Sequence, residues 1–353
     1  MNYFQFLQRF IYVLPAETAH NCAIFALKNK FLPKNVMDCS DILKTKVFGL
    51  KFDNPVGMAA GFDKNGDAIE GLFQQGFGFV EVGTVTPKPQ DGNAKPRLFR
   101  LVEDEAVVNR FGFNNKGVEH FVGNLENACK SGVLGANIGK NKTSESASAD
   151  YITMLNKVYG LSDYITINIS SPNTPGLRDI QKKDELDGFL SKILKEKEKL
   201  KENTAKDIPI LLKVAPDTDE NQRNDIAQAV LKQKIDGLIV SNTTIGNRDI
   251  LSSKYANETG GLSGKPLFDM STKMVSDMYR LTKGQVPIVG VGGIDSAESA
   301  YKKIRAGASL VQLYSALVFK GFQLVEDINN GLAKLLQEDG FNNISEAVGA
   351  DVQ

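Results

Sequence analysis

The sequence is short of cysteine and histidine, and each shortage removes a class of chemistry. Cys22, Cys39 and Cys129 are odd in number and fall at unrelated spacings. That argues against both a disulfide framework and a zinc site, and it points to a reducing compartment. His20 and His120 are the only histidines in 353 residues, and no metal centre is expected. Net charge is also missing: 42 basic side chains balance 42 acidic ones, so nothing draws the chain as a whole toward nucleic acid. No stretch approaches the roughly 20 apolar residues that a membrane-spanning helix needs. The N-terminus lacks the basic cluster, apolar core and small-residue cleavage site of a secretory signal. Internal repeats and low-complexity linkers are absent too.

What is present is an ordinary globular composition, 42% hydrophobic and 24% charged. After residue 50, eight short apolar, β-branched runs alternate with helix-length segments: Pro55–Ala60, Phe79–Val85, Leu134–Ile138, Tyr164–Ile169, Ile210–Val214, Gly237–Ser241, Val286–Val291 and Ser309–Tyr314. Near-continuous apolar strands separated by helices indicate a parallel sheet covered on its faces, and eight of them predict a closed (β/α)8 barrel. An open doubly wound sheet is the competing fold. It calls for a G-x-G-x-x-G fingerprint after the first strand, and GMAAGFDKNGD at 57–67 does not have that spacing. The charged stretch at 192–206, KILKEKEKLKENTAK, interleaves Glu with Lys and reads as a solvated helix face, not a nucleic-acid tail.

Residues 1–40 differ in kind. Phe6, Phe10, Val13 and Leu14 fall at helical spacing with Tyr3 and Phe4 nearby, Pro15 interrupts, and a second helical pattern follows. Arg9, Lys28, Lys30 and Lys34 face Glu17 alone across residues 1–34. A basic, aromatic-rich amphipathic hairpin suits a membrane interface. It would equally suit a cap on the bottom of the barrel. The expected division is a membrane-associating helical domain at 1–40 and a barrel at 41–353.

In a barrel of this kind the loops after the strands form the active face. The fourth run ends in NISSPNTPGLR, 168–178, a loop of amides and hydroxyls with no His, Cys, Asp or Glu. Such a loop holds no metal and offers only a weak base, so the driving force must come from elsewhere. The other run ends bring Ala59, Ala60, Gly61, Asp63 and Lys64, then Gly83 and Thr84, Asn137, Lys213, and Ser241, Asn242 and Thr243 to the same mouth. VGVGG at 289–293 and QLYS at 312–315 close the seventh and eighth runs, where this barrel usually cradles phosphate on backbone N–H groups. Small residues beneath a flat ring, a phosphate turn and a lysine near a polar edge suggest flavin mononucleotide. An adjacent hydride acceptor would leave the loop only a proton to remove. Lys213, inside the apolar run ILLKV, asks for an anionic neighbour.

NPVGMAAGFDKNG, NRFGFNNKG, GANIGKNKTS, NISSPNTPGLR, ETGGLSGKPL, GVGGI and AGASLVQLYSAL resemble the signature blocks of class 2 dihydroorotate dehydrogenases. These are membrane-associated flavoenzymes of pyrimidine (UMP) biosynthesis that reduce quinone. The resemblance runs in order from about residue 40 to the C-terminus and is looser before it, where ETAHNCAI resembles the family's second N-terminal helix. It implies that Ser171 is the catalytic base, taking a proton from C5 of dihydroorotate while C6 gives hydride to the flavin. Related class 1 enzymes use a cysteine there, and no cysteine of this chain lies in a matching motif. In isolation, a Ser-Ser pair could instead cap the following helix. The motif argues against this for Ser171 but leaves it open for Ser170.

The resemblance further implies a substrate site of Lys64, Asn109, Arg110, Phe111, Gly112, Phe113, Asn168, Asn173, Asn242 and Thr243. Amides suit a ring of alternating carbonyl and N–H groups, and Lys64 suits its carboxylate. One FMN per chain is expected on Ala59, Ala60, Gly61, Phe62, Asp63, Gly83, Thr84, Asn137, Asn168, Lys213, Ser241, Gly264, Gly293, Tyr314 and Ser315. Thr174 and Phe113 match a proton exit and its gate. His20, Arg100 and Tyr314 match a quinone tunnel for ubiquinone or menaquinone. His120 lies in no matching motif and is expected to be a surface or packing residue. The expected protein is monomeric and peripheral to a membrane through residues 1–40; in a bacterium, that is the cytoplasmic face of the inner membrane. The alternatives are a soluble FMN barrel reducing fumarate or NAD, and a non-redox phosphate-binding barrel.

Overall fold

The computed structural model describes residues 3–35 and 40–352. Cys39 and the side chains of Tyr3, Phe6 and Phe10, which entered the reading above, lie outside what is described. Two helices, α1 (Tyr3–Val13) and α2 (Ala16–Lys28), precede a two-stranded hairpin, β1 (Thr45–Val47) and β2 (Leu50–Phe52). The chain continues through β3 (Val56–Met58), α3 (Ile69–Phe73) and β4 (Phe79–Val85) to an antiparallel pair, β5 (Leu98–Leu101) and β6 (Ala106–Asn109). It resumes with α4 (Val118–Glu126), β7 (Val133–Ile138), α5 (Ala147–Val158), β8 (Tyr164–Asn168), α6 (Lys183–Thr204), β9 (Ile210–Val214), α7 (Glu220–Gln233) and β10 (Gly237–Val240). A further antiparallel strand, β11 (Gly261–Gly264), leads into α8 (Phe268–Leu281), β12 (Ile288–Val291), α9 (Ala297–Arg305), β13 (Ala308–Leu313), α10 (Ser315–Lys320) and α11 (Gln323–Glu338).

β3, β4, β7, β8, β9, β10, β12 and β13 pair in parallel and close on themselves. The eight apolar runs are these eight strands, with bounds moved by no more than two residues. They are mostly apolar because one face fills the barrel and the other meets the helices. The charged stretch at 192–206 lies mainly in α6, where Ile193 is buried, Lys199 pairs with Glu196 and Lys201 with Asp207 on the outside, and the buried Lys197 pairs with Asp236.

The lower half of the barrel is filled by Phe79, Tyr164, Leu211, Ile239, Val289 and Leu310. Glycines make room for the large rings: a Cβ at Gly57 would strike the Phe79 ring, and one at Gly135 the Tyr164 ring. Val47, Phe48 and Phe52 of the β1–β2 hairpin complete this cluster and plug the bottom. The N-terminal helices therefore do not cap the bottom of the barrel. They lie at its other end, where α1 meets α10 and α2 packs on α3 and β5. Gly71 permits this docking, because a side chain there would collide with the Leu27 carbonyl of α2. β5, β6 and β11 form a separate antiparallel sheet beside the mouth, packed on Phe99, Leu101, Val108 and Leu262.

Gly135→Ala forces a methyl group into the fixed Tyr164 ring and should destabilise the fold by about 1–3 kcal/mol. The expected readout is a lower denaturant midpoint at an unchanged slope.

Candidate active site

One cavity of about 590 Å³ runs from the α1–α2 hairpin to the loops after the barrel strands. Ser171 and Asn168, Asn173, Asn109, Asn242 and Thr243 stand on its wall. Asn168 ends β8 and is the hub of the polar side. Its amide nitrogen donates to Thr84 Oγ1 at 2.9 Å and Asn137 Oδ1 at 3.2 Å, and its oxygen accepts from Ser170 Oγ at 2.8 Å. Asn242 donates to the same Ser170 Oγ at 2.8 Å. Ser170 is thus buried in the amide network. No side-chain oxygen caps the short helix Arg178–Gln181 that follows, so the capping reading fails for both serines.

Among the described residues, the hydrogen bond found to Ser171 Oγ comes from the backbone N–H of Asn173, at 3.2 Å. Among the described residues no carboxylate or imidazole hydrogen-bonds to it. Asn173 donates to the Asn109 carbonyl at 3.2 Å, tying the loop to β6. The loop owes its course to Arg178, its last residue. Arg178 donates to the Ser170 carbonyl at 3.0 Å, the Thr243 carbonyl at 3.0 Å and Asp217 at 2.8 Å. Thr174 is buried behind the wall, and its hydroxyl has no partner among the described residues.

Across the cavity lie Ala59, Ala60, Gly61 and Phe62, with Lys64, Phe111, Gly112 and Phe113 at one edge. Lys64 Nζ donates to the Gly61 carbonyl at 2.7 Å and sits 4.0 Å from the centre of the Phe111 ring. Burial pushes its pKa down to about 8, an effect opposed by Glu17 and reinforced by Arg97. Ser241, Gly264, Gly293, Tyr314 and Ser315 complete the far wall. Ser315 donates to Ser263 Oγ at 2.7 Å, a partner that the sequence reading did not single out.

Beneath this cavity the barrel holds a polar floor. Lys213 is buried, lines the cavity and has no hydrogen bond or ion pair to its Nζ among the described residues. Burial lowers its pKa, and the charge of Glu81 opposes that shift. Glu81 on β4 is the anionic neighbour that Lys213 called for. It is fully buried and accepts from Asn137 at 2.7 Å, Gln312 at 2.9 Å and the Tyr164 hydroxyl at 3.0 Å. Burial and the Glu81 charge together raise the Tyr164 pKa well above its usual value.

Five expected site residues stand off the cavity wall. Asn137 is one layer down in this floor. Gly83 packs on the Asn137 backbone. Thr174 sits behind Ser171, as described. Asp63 uses its carboxylate to accept from the N–H groups of Asp67 at 2.9 Å and Ala68 at 2.7 Å. Arg110 pairs with Glu258 at 2.6 Å and stacks on Phe99.

At the hairpin end, His20 meets the Phe62 ring edge-on at 5.2 Å, and Tyr314 meets Phe62 at 5.5 Å. Burial, with Lys64 adding, pushes the His20 pKa down to about 3, so its ring is neutral at physiological pH. Arg100 lies 4.6 Å from the Tyr12 ring centre on α1. His120 is remote from the cavity, 3.3 Å from Asp67.

The site is therefore one long cavity at the mouth of a (β/α)8 barrel, lined by polar groups at the strand ends and by apolar side chains toward the N-terminal hairpin. The sequence matches the model of the dihydroorotate dehydrogenase family over residues 42–336, and the chain belongs to that family. It is 48% identical to the dihydroorotate dehydrogenase (quinone) of Azorhizobium caulinodans over the whole of both chains. It is also 48% identical to the mitochondrial dihydroorotate dehydrogenase (quinone) of Mus musculus, over 96% of this chain and 87% of the mouse protein. The crystal structure of ligand-free DHODH from Eimeria tenella superposes with a TM-score of 0.92 at 41% identity, over 96% of this chain and 99% of that one.

Glu81→Gln would turn an acceptor toward three donors into a partial donor and leave Lys213 without its countercharge. The expected loss is about 3–5 kcal/mol of stability, seen as a drop in the thermal midpoint of the purified protein.

Proposed function

We propose that the protein oxidises dihydroorotate to orotate in UMP biosynthesis, with FMN held at the barrel mouth and a membrane quinone, ubiquinone or menaquinone, as final acceptor. The observation that carries this reading is the single cavity joining Ser171 and the four asparagines to His20, Arg100 and the N-terminal hairpin. The residues fit FMN: the buried Lys213, without a partner to its Nζ among the described residues, lines the same cavity as the small residues Ala59, Ala60 and Gly61, and the Gln312 carbonyl, also on that cavity, has no partner among the described residues either. When bound, FMN supplies the two-electron acceptor between substrate and quinone.

The remaining work falls to the protein. Asn109, Asn168, Asn173 and Asn242 donate to and accept from the substrate ring, and Lys64 pairs with its carboxylate. Ser171 removes the C5 proton. A hydroxyl suffices because the electron pair left at C5 forms the new double bond as the C6 hydride departs. Thr174, with its spare hydroxyl, is the next carrier of that proton, and Phe113 shields the loop from water. Lys213 stabilises negative charge on the reduced ring.

His20, Arg100 and Tyr314 line the quinone passage, where neutral His20 offers an aromatic wall and Arg100 a donor. The chain attaches peripherally to a membrane through α1 and α2, on the cytoplasmic face of the inner membrane in a bacterium. Val13, Phe25 and Phe31 are 84%, 60% and 69% exposed on this hairpin and the turn after it. Among the described residues no helix is long and apolar enough to cross a membrane.

Anaerobic mixing of the flavin-loaded protein with dihydroorotate should bleach the flavin absorbance, and a short-chain ubiquinone should restore it. Ser171→Ala should retain the flavin yet slow bleaching by about 10²–10⁴-fold, and an unchanged rate would remove Ser171 from the mechanism.

Lys64 gives a pH signature. Its ammonium is present below about pH 8 and lost above it, so orotate affinity should fall as pH rises through that value, by up to about tenfold per unit. Lys64→Met should weaken orotate binding at pH 7 by about 10- to 100-fold and flatten this dependence. Flavin difference spectra would read both.

A further inference from the structure

A second buried lysine lies behind the phosphate turn and has no part in the scheme above. Lys303, on α9, is fully buried. Its Nζ donates to Ser271 Oγ on α8 at 2.6 Å and lies 4.9 Å from the Phe268 ring centre. Among the described residues no carboxylate comes within ion-pair distance of it. Burial pushes its pKa down to about 7, with Asp269 opposing. A charge held this way is costly unless an anion compensates it.

Ser271 passes the influence of Lys303 to the turn. An ammonium only donates, so Ser271 Oγ accepts from Lys303 and its single proton goes to a carbonyl. The carbonyls within reach are Gly292 at 3.0 Å and Phe268 at 3.1 Å. The Gly292 oxygen therefore points inward, toward Ser271. In a trans peptide the N–H of the next residue points the opposite way, so the Gly293 N–H is turned from Ser271. Both glycines line the cavity, and the Gly293 N–H has no hydrogen bond among the described residues. Their φ angles of 114° and 73° exclude most other residues, and a Cβ on Gly293 would strike the backbone of Phe268.

We propose that Lys303 is a positioning residue for the phosphate of the flavin mononucleotide: through Ser271 it fixes the Gly292–Gly293 peptide with its N–H toward the phosphate, and it places a positive charge behind that turn. This rests on the flavin reading above. The interaction is with the phosphate, so it should distinguish FMN from riboflavin, which has the same ring and no phosphate.

The test is to strip flavin from the full-length protein and titrate it with FMN and, separately, with riboflavin, following flavin fluorescence. Lys303→Met should weaken FMN binding by about 10- to 100-fold and leave riboflavin binding within about twofold of wild type. Equal losses for both ligands, or no loss for FMN, would overturn the proposal. If Lys303→Met does not fold, Ser271→Ala takes its place: an FMN-selective loss supports the relay, and an unchanged FMN-to-riboflavin ratio sinks it. A wild-type protein with no preference for FMN over riboflavin would overturn the flavin reading itself, which separates the two failures.

Discussion

The carboxylate of Glu81 sits inside a closed barrel, out of contact with water, and the active face depends on how it is satisfied. It accepts from three side chains on three different strands, Asn137 on β7, Tyr164 on β8 and Gln312 on β13. It also opposes the loss of charge that burial imposes on Lys213 of β9. With its nitrogen donating to Glu81, Asn137 turns its oxygen the other way, where it accepts from Thr84 at 2.5 Å and from Asn168. Asn168 in turn orients Ser170, and Ser170 meets Asn242. A chain of amides and hydroxyls thus climbs from the barrel floor to the loop that carries Ser171, and each member's orientation is fixed by the donor or acceptor below it.

The two ends of the cavity differ because different elements build them. The strand ends supply polar groups at fixed heights, while the N-terminal helices supply apolar walls. Phe62, His20 and Tyr314 meet between the two ends. Substrate chemistry needs donors and acceptors in register with a ring, and a quinone needs an apolar passage from a membrane. On the proposed reading one flavin between these ends serves both, so neither reactant must enter the other's site.

The barrel was legible because strands buried on both faces are nearly all apolar, and eight such runs stand out against charged helices. The antiparallel elements were not. β5, β6 and β11 are four residues each and half-exposed in part, too short for alternation to register. The β1–β2 hairpin did carry a signal in Phe48–Gly49, both at positive φ, as a two-residue hairpin turn requires. Phe is an unusual residue for the first of these positions, which hid the turn. The candidate site was legible where motifs end strands. It was not where one acidic residue, Glu81, interrupts an apolar run, since a lone charge in FVEV reads only as a weaker strand. Lys213 posed the question that Glu81 answers. Lys303 was hidden by its neighbours, because KKIR at a helix C-terminus looks like an ordinary response to the helix dipole.

Lys64, Lys213 and Lys303 share a thermodynamic predicament. All three are pushed toward the neutral form by burial, which Glu17 and Asp63 oppose for Lys64, Glu81 for Lys213 and Asp269 for Lys303. Among the described residues none of the three has a contact ion pair. On the proposed reading the ligands supply the partners: a carboxylate for Lys64, a ring that becomes electron-rich for Lys213 and a phosphate for Lys303. Each anion favours the charged form of its lysine, so binding free energy and folding free energy are linked at this end of the molecule. These lysines therefore favour ligands that carry negative charge in these three places.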